Sequence, residues 1–226
     1  MRVLALETSG MSGSAAALEV GKSPIVVPFE PTQRSARALA PAVRKLMSEI
    51  GWSPGDVNLV AVTAGPGSFT GLRIGVTTAK TLAYALGAEL VAVDTLDVLA
   101  RQAPAEGSKL HTVLDAHRNE LFAAMFHRSP HGRWERSRET HLIGVEAWLV
   151  ALREGDVVTG PVIGKLATRL PSGMSIVPPE LREPNAGVVA ELAAELHAAG
   201  RRDDLWKLIP WYGRLAAAEE KLRAKG

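Results

Sequence analysis

The residues best suited to chemistry lie in one stretch, residues 63–75, with the sequence TAGPGSFTGLRIG. An apolar run at 57–62 leads into it and predicts a buried strand, and Gly65, Pro66 and Gly67 then interrupt that strand. Ser68 or Thr70 is placed to cap a helix that Gly87 would end. Because the free N–H groups of a helix N-terminus point one way and carry positive potential, phosphate or carboxylate is the natural ligand there.

The glycine spacing leaves two interpretations open. The pattern G-x-G-x-x-x-G is one residue longer than the dinucleotide fingerprint, and no Gly-Lys-Ser/Thr follows it as in a P-loop. The stretch is therefore either a cradle for phosphate or a tight turn that lets a strand pack closely against a helix.

The predicted helix at 69–86 has three distinct faces. Leu72, Val76 and Ala79 share the face expected to meet the core, and Arg73 lies on the opposite side. Between them runs a stripe of mostly small residues (Gly71, Gly75, Thr78 and Ala85). Glycine inside a helix costs about 1 kcal/mol relative to alanine, so Gly75 indicates close approach of another backbone, either a helix of this chain or one of a partner.

Two side chains at the start of this helix also have two interpretations each. Phe69 either fills the core of its own chain or stands exposed as a binding hot spot. Arg73 either contacts a partner carboxylate or phosphate, or is simply solvated.

The order of elements predicts a duplicated α/β unit. Three strands, at 3–6, 14–20 and 25–29, precede alternating helices and strands (helix 31–51, strand 57–62, helix 69–86, strand 89–93, helix 95–103). After a break at 104–108, the pattern restarts (strands 110–114, 121–126 and 134–142, helix 145–152, strand 157–158, helices 163–170 and 185–199). We expect two subdomains, 1–103 and 104–226, each with a mixed sheet and helices, with a cleft between them and with the last segment packing back on the first subdomain.

Composition narrows the functional classes. The 226 residues are 46% hydrophobic and 22% charged, which is typical of a soluble globular protein, and the pI of about 9.0 with a net charge of +2 is only mildly basic. Zero cysteines exclude disulfides, cysteine-ligated zinc and thiol catalysis. With no apolar run of roughly 18 residues and no signal-peptide pattern, a cytoplasmic location without membrane contact is expected. The six histidines are scattered, so no metal site is expected.

Four motifs together resemble the bacterial TsaB (YeaZ) family. They are the glycine motif at 65–75 and, more weakly, the segments LALETS at 4–9, DAHRNE at 115–120 and PWYGR at 210–214. The resemblance covers essentially the whole chain and implies the duplicated fold of the actin, sugar-kinase and chaperone-ATPase superfamily. Glu7 stands where the family often has aspartate, at a position that in the superfamily helps to hold magnesium and phosphate, and this weakens any claim to nucleotide hydrolysis.

The resemblance also implies a function. TsaB proteins are non-catalytic partners of TsaD, which transfers a threonylcarbamoyl group to N6 of the adenosine beside the anticodon in tRNAs that read codons beginning with A. TsaE, a small ATPase, joins the pair, and TsaB can form homodimers through the same surface; tRNA is then contacted only through the complex. For this chain the implied partner interface comprises Phe69, Thr70, Gly71, Arg73, Ile74, Gly75 and Thr78. The candidate phosphate or nucleotide loop comprises Glu7, Thr8, Ser9, Gly65, Gly67 and Ser68.

No cofactor of the chain's own is implied, although ATP or ADP at the partner interface is compatible with the family. Two other functions remain alternatives: a small ATPase or small-molecule kinase of the same superfamily, and a metal-dependent peptidase. Asp115 and Glu120 flank a turn and are either an acid–base pair or, as we expect, solvated turn residues. Residues 34–51 contain no histidine, unlike the metal-binding helix of TsaD, and no other ligand set supports the peptidase.

Overall fold

Two five-stranded mixed sheets with surrounding helices make up the structure, a computed structural model that describes residues 1–29 and 35–213. The first half contains β1 (Arg2–Glu7), β2 (Ser14–Glu19), β3 (Ile25–Pro28), α1 (Ser35–Ile50), β4 (Leu59–Gly65), α2 (Phe69–Leu86), β5 (Glu89–Asp94) and α3 (Thr95–Gln102). The second half contains β6 (Lys109–Asp115), β7 (Glu120–Arg128), β8 (Trp134–Gly144), α4 (Val145–Ala151), β9 (Val157–Thr159), α5 (Ile163–Leu166), β10 (Ser175–Ile176) and α6 (Ala186–Ala198).

The two sheets have the same strand order. The first runs β3-β2-β1-β4-β5 and the second runs β8-β7-β6-β9-β10. In each sheet the first three strands form an antiparallel meander, and the fourth and fifth add in parallel after a helical crossover. This repetition confirms the predicted duplicated α/β fold.

Strand β1 lies at the centre of the first sheet and is buried on both faces. Leu4 and Leu6 point into the core under α1 and α2, whereas Val3 and Ala5 point into the core under α6. Because side chains alternate along a strand, Glu7 follows Val3 and Ala5 on the face that α6 covers. Its carboxyl group therefore lies on the α6 side of the sheet, where β1 ends. This alternation decides where the polar residues that follow β1 are placed.

Helix α6 packs on the first sheet although it follows the second sheet in the chain. Val189, Ala190 and Ala193 are fully buried against β1, β2, β4 and β5. The backbone N–H of Ala186 at the helix start donates to the Ser14 hydroxyl at 3.0 Å. The chain thus returns to the first subdomain after it has built the second.

Polar side chains also bridge the two subdomains. The Arg136 guanidinium on β8 lies 2.6 Å from the Asp97 carboxylate on α3 and 3.2 Å from the Asp94 carboxylate. The amide of Gln102 donates to the carbonyls of Leu181 (3.1 Å) and Glu183 (2.7 Å) before α6. These bonds fix the second sheet and α6 to the first subdomain through α3.

One predicted helix differs from the structure. The helix predicted over 163–170 divides into α5 and a 3-10 turn at Ala167–Arg169. The helix predicted within 31–51 is present as α1 and contains Pro41. The charged helix or tail predicted for 214–225 lies outside the described residues.

Candidate functional site

The loop between β4 and α2 is anchored to the end of β1 by Ser68. The Ser68 hydroxyl accepts from the N–H of Gly71 at 3.2 Å and so caps α2, as one of the two predicted capping residues. The Ser68 N–H in turn donates to the Ser9 carbonyl at 2.7 Å. The start of α2 and the segment after β1 are therefore joined by hydrogen bonds at the point where phosphate binding was predicted.

The glycines of this loop accommodate neighbouring backbone of the same chain. A Cβ on Gly67 would lie 2.6 Å from the Ser9 carbonyl oxygen, and one on Gly71 would overlap the carbonyl oxygen of Thr8. Gly65, with φ +127°, packs in the same way against the Trp211 carbonyl. The geometry favours the interpretation in which glycines let a strand end pack against a helix, and phosphate binding stays a prediction.

The neighbour predicted for Gly75 is wrong. The sequence indicated a helix of this chain or of a partner, but the atoms that a Cβ at Gly75 would meet all belong to the Thr8 side chain. Thr8 follows β1 and is fully buried. Gly71 and Gly75 therefore serve packing within the first subdomain, because Thr8 occupies the space that side chains at these two positions would need.

Glu7 is a fully buried carboxyl group at the end of β1. Its Oε1 atom accepts from the Ser9 N–H at 2.7 Å, from the Ser9 hydroxyl and from the Thr63 hydroxyl at 3.3 Å, whereas Oε2 has no hydrogen-bond partner among the described residues. Burial raises the pKa of Glu7 from 4.5 to about 7, and Glu183 adds a smaller repulsive effect. Near neutral pH this group is therefore divided between its protonated and ionised forms.

The candidate interface residues on α2 divide into exposed and buried groups. Phe69, Thr70 and Arg73 are exposed, and Ile74 and Thr78 are half-buried. Gly71 and Gly75 lie beneath the surface, so they can act on an interface only by fixing the helix that carries the others. Fewer of the predicted interface residues are therefore accessible to a partner than the sequence indicated.

Phe69 stands at the surface, with 46% of it exposed. Its ring packs 4.5 Å from the Tyr212 ring, and the Arg73 guanidinium lies 3.9 Å above the Phe69 ring. The Arg73 Nε donates to the Tyr212 hydroxyl at 3.0 Å. The expectation that Phe69 fills the core is therefore wrong, and the alternative of a surface position is correct.

Residues 203–213, which we name the C-terminal strap, form the other side of this surface. The strap runs antiparallel to α2: Trp206 contacts Tyr84, the Leu208 carbonyl accepts from Lys80 at 3.1 Å, and Tyr212 reaches Phe69. The sequence did not predict this pairing of the strap with α2. Only the polar and aromatic residues on the outer face of α2 could have indicated it.

The turn between β6 and β7 is a separate polar feature. Its residues His117, Arg118 and Asn119 all have positive φ (60°, 52° and 62°), and the turn borders an open cavity of about 320 Å³. Asp115 accepts from the His117 N–H at 2.8 Å and lies 3.3 Å from Lys165. Asp115 is thus engaged in turn and surface contacts, which favours the interpretation of this segment as a turn.

Within residues 1–29 and 35–213, no three histidine, aspartate or glutamate side chains are grouped so that they could hold a metal ion. In the same residues no helix combines the length and apolar character that a membrane crossing requires.

Comparison with known proteins identifies the family. Residues 19–168 match the family model TsaD, tRNA N6-adenosine threonylcarbamoyltransferase. The chain is 30% identical to the tRNA threonylcarbamoyladenosine biosynthesis protein TsaB of Bacillus subtilis, over 98% of this chain and 97% of that protein. The chain belongs to the TsaB family. The TsaB protein of Escherichia coli is 29% identical over the full length of both chains.

A solved TsaB-type structure has the same fold. YeaZ from Pseudomonas aeruginosa superposes with a TM-score of 0.80 at 26% identity, covering 93% of this chain and 99% of that one. The family and the fold expected from the glycine motif are therefore confirmed. These comparisons do not test the residues of the predicted interface, which stay predictions.

Proposed function

We propose that this chain is a non-catalytic subunit in tRNA threonylcarbamoyladenosine biosynthesis that binds a TsaD subunit through the outer face of α2. The full-length relatives carry the name of this pathway, and the matched family model is that of the transferase itself. The observation that carries the proposal is the surface at the start of α2, where Phe69 and Arg73 are presented to solvent on a helix locked to β1. The resemblance to TsaB supports a partner interface on this helix.

The chemistry would belong to the partner. The modified atom would be N6 of the adenosine beside the anticodon in tRNAs reading codons that begin with A, and this chain would contact the tRNA through the complex. TsaE would join the pair, and the isolated chain would form homodimers through the same surface. The chain needs no cofactor of its own in this scheme, and ATP or ADP would bind at the partner interface. A cytoplasmic location accords with this role.

The double substitution Phe69→Ala with Arg73→Glu is expected to weaken binding to the TsaD protein of the same organism at least about 30-fold. It removes an exposed aromatic ring and reverses a charge at the centre of the proposed interface, and such central residues dominate binding energy. Isothermal titration calorimetry with the full chains measures the change.

Val150→Ala is the matched control, because Val150 is 77% exposed on α4 in the second subdomain, away from α2. Its affinity should equal that of the unsubstituted chain. If the unsubstituted, folded chain does not bind TsaD at micromolar concentrations, the proposed function is wrong. If it binds but the double variant binds equally well, the interface lies elsewhere.

A further inference from the structure

The C-terminal strap is held firmly on its inner side. The Asp203 N–H donates to the Leu90 carbonyl at 2.9 Å, and the Asp203 carboxylate accepts from the Ala92 N–H at 2.7 Å, so the strap is bonded to β5. Leu205 and Leu208 pack against the core under α1 and α2. At the far end the Trp211 N–H donates to the Ala64 carbonyl at 2.7 Å. These contacts fix the strap along its length.

The outer side of the strap is apolar and exposed. Trp206 and Ile209 are 77% and 75% exposed, although the leucines beside them in the chain turn inward. Tyr84 on α2 is 70% exposed and meets Trp206 edge to face at 5.9 Å. Together with Phe69 at the other end of α2, these side chains line one surface built jointly by the helix and the strap. Several large exposed apolar side chains on one surface are typical of an interaction site.

The charged side chains that α2 contributes to this surface are all positive. Helix α2 contains Arg73 and Lys80 and no aspartate or glutamate. Within the described part of the chain neither cation forms an ion pair: Arg73 donates to the Tyr212 hydroxyl, and Lys80 donates to the Leu208 carbonyl. On the strap, Asp204 accepts from the N–H groups of Trp206 and Lys207. The α2 face therefore offers apolar area and two cations without a bonded carboxylate, of which Lys80 still acts electrostatically on Asp204 of the strap.

This charge pattern selects the kind of partner. A protein face that combines apolar side chains with carboxylates would complement α2, since opposite charges across an interface favour association. In a symmetric pair of this chain, Arg73 and Lys80 would have to be neutralised by Asp204 of the other copy, and that carboxylate already accepts from the N–H groups of Trp206 and Lys207 in its own chain. The pattern thus favours a different protein over a second copy.

We propose that the C-terminal strap and the outer face of α2 form a single docking surface for an apolar, acidic face of the partner subunit, with Trp206 and Ile209 as its energetic centre. This inference rests on the proposed function and adds the strap to an interface otherwise assigned to α2 alone. Binding would not require the strap backbone to become ordered, because that backbone is already bonded to β4, β5 and α2.

The test compares strap variants with α2 variants in the same calorimetric titration against TsaD. The pair Trp206→Ala with Ile209→Ala is expected to weaken binding at least about 30-fold, and Trp206→Phe is expected to lose less because it retains an aromatic ring. Both variants should keep the thermal unfolding midpoint of the unsubstituted chain, because the replaced side chains are exposed. Val150→Ala again serves as the exposed apolar control, and Lys80→Glu should weaken binding through the charge it reverses.

The outcomes separate this inference from the proposed function. If Phe69→Ala with Arg73→Glu weakens TsaD binding but the strap pair does not, the strap is not part of the interface, and the proposed function stands. If the unsubstituted chain does not bind TsaD, the proposed function is wrong, and the inference that rests on it is wrong as well. If the strap pair abolishes only self-association, measured by sedimentation with TsaD binding intact, the occupant is a second copy and the inference is overturned.

Discussion

Replacing Gly71 with alanine is expected to lower the free energy of unfolding by about 2 kcal/mol. The new Cβ would overlap the Thr8 carbonyl oxygen, which is backbone and is held by the strand before it. Relief requires α2 and the end of β1 to separate, and overpacking of this kind typically costs about 1–3 kcal/mol or more. The usual helix-propensity gain of about 1 kcal/mol for alanine over glycine only partly offsets this cost. Urea denaturation followed by circular dichroism measures the difference.

Gly164→Ala is the matched control for this prediction. Gly164 also lies in a helix, α5, but a Cβ there would meet no atom within 4 Å. We expect this variant to be as stable as the unsubstituted chain or slightly more stable, because alanine restricts the unfolded chain. If Gly71→Ala were as stable as Gly164→Ala, the close packing of α2 on Thr8 would be refuted.

The second large effect concerns the pH dependence of stability through Glu7. The folded-state pKa is about 7, whereas the ordinary value is 4.5, so the folded chain binds the extra proton in this interval. Stability therefore falls as pH rises: the penalty is absent below about pH 4.5, grows toward pH 7 and is complete above it. A shift of this size corresponds to roughly 3 kcal/mol. Glu7→Gln removes the titration and should be more stable than the unsubstituted chain by about this amount at pH 8, with little difference at pH 5.

The measurement is the free energy of unfolding in urea at pH 5, 6, 7 and 8 for the unsubstituted chain and for Glu7→Gln. Glu19→Gln is the control, because a hydrogen bond from Lys22 holds the pKa of Glu19 below its ordinary value and so outside this range. Its pH profile should parallel that of the unsubstituted chain. Parallel profiles for Glu7→Gln as well would show that Glu7 does not titrate in this interval.

Glu7 and the glycines at the start of α2 take part in the same contact within the first subdomain. Both belong to the contact between the end of β1 and the start of α2, which the sequence suggested could be a phosphate site. Ser9 connects them, since its carbonyl accepts from Ser68 while its hydroxyl and N–H donate to Glu7. The contact thus orients α2, and any change at Glu7 or Gly71 should also reach the outer face of that helix.

The sequence by itself determined the elements and the family of this protein. Periodicity located the strands and helices to within a few residues, since alternation along strands and the helical spacing of Leu72, Val76 and Ala79 are local signals. The restart of the same element order after residues 104–108 predicted the duplication. The glycine motif indicated the TsaB family because its spacing is specific.

Only the tertiary structure decided which surfaces meet. A glycine shows that something comes close, but its neighbour, here Thr8, is brought there by the parallel pairing of β1 with β4 and not by any local pattern. The position of α6 on the first sheet and the course of the C-terminal strap along α2 depend on contacts between residues more than 100 positions apart. Phe69, Trp206 and Ile209 read in the sequence as core residues as readily as surface ones. Exposure is set by the whole fold, because a side chain is buried only when distant segments cover it.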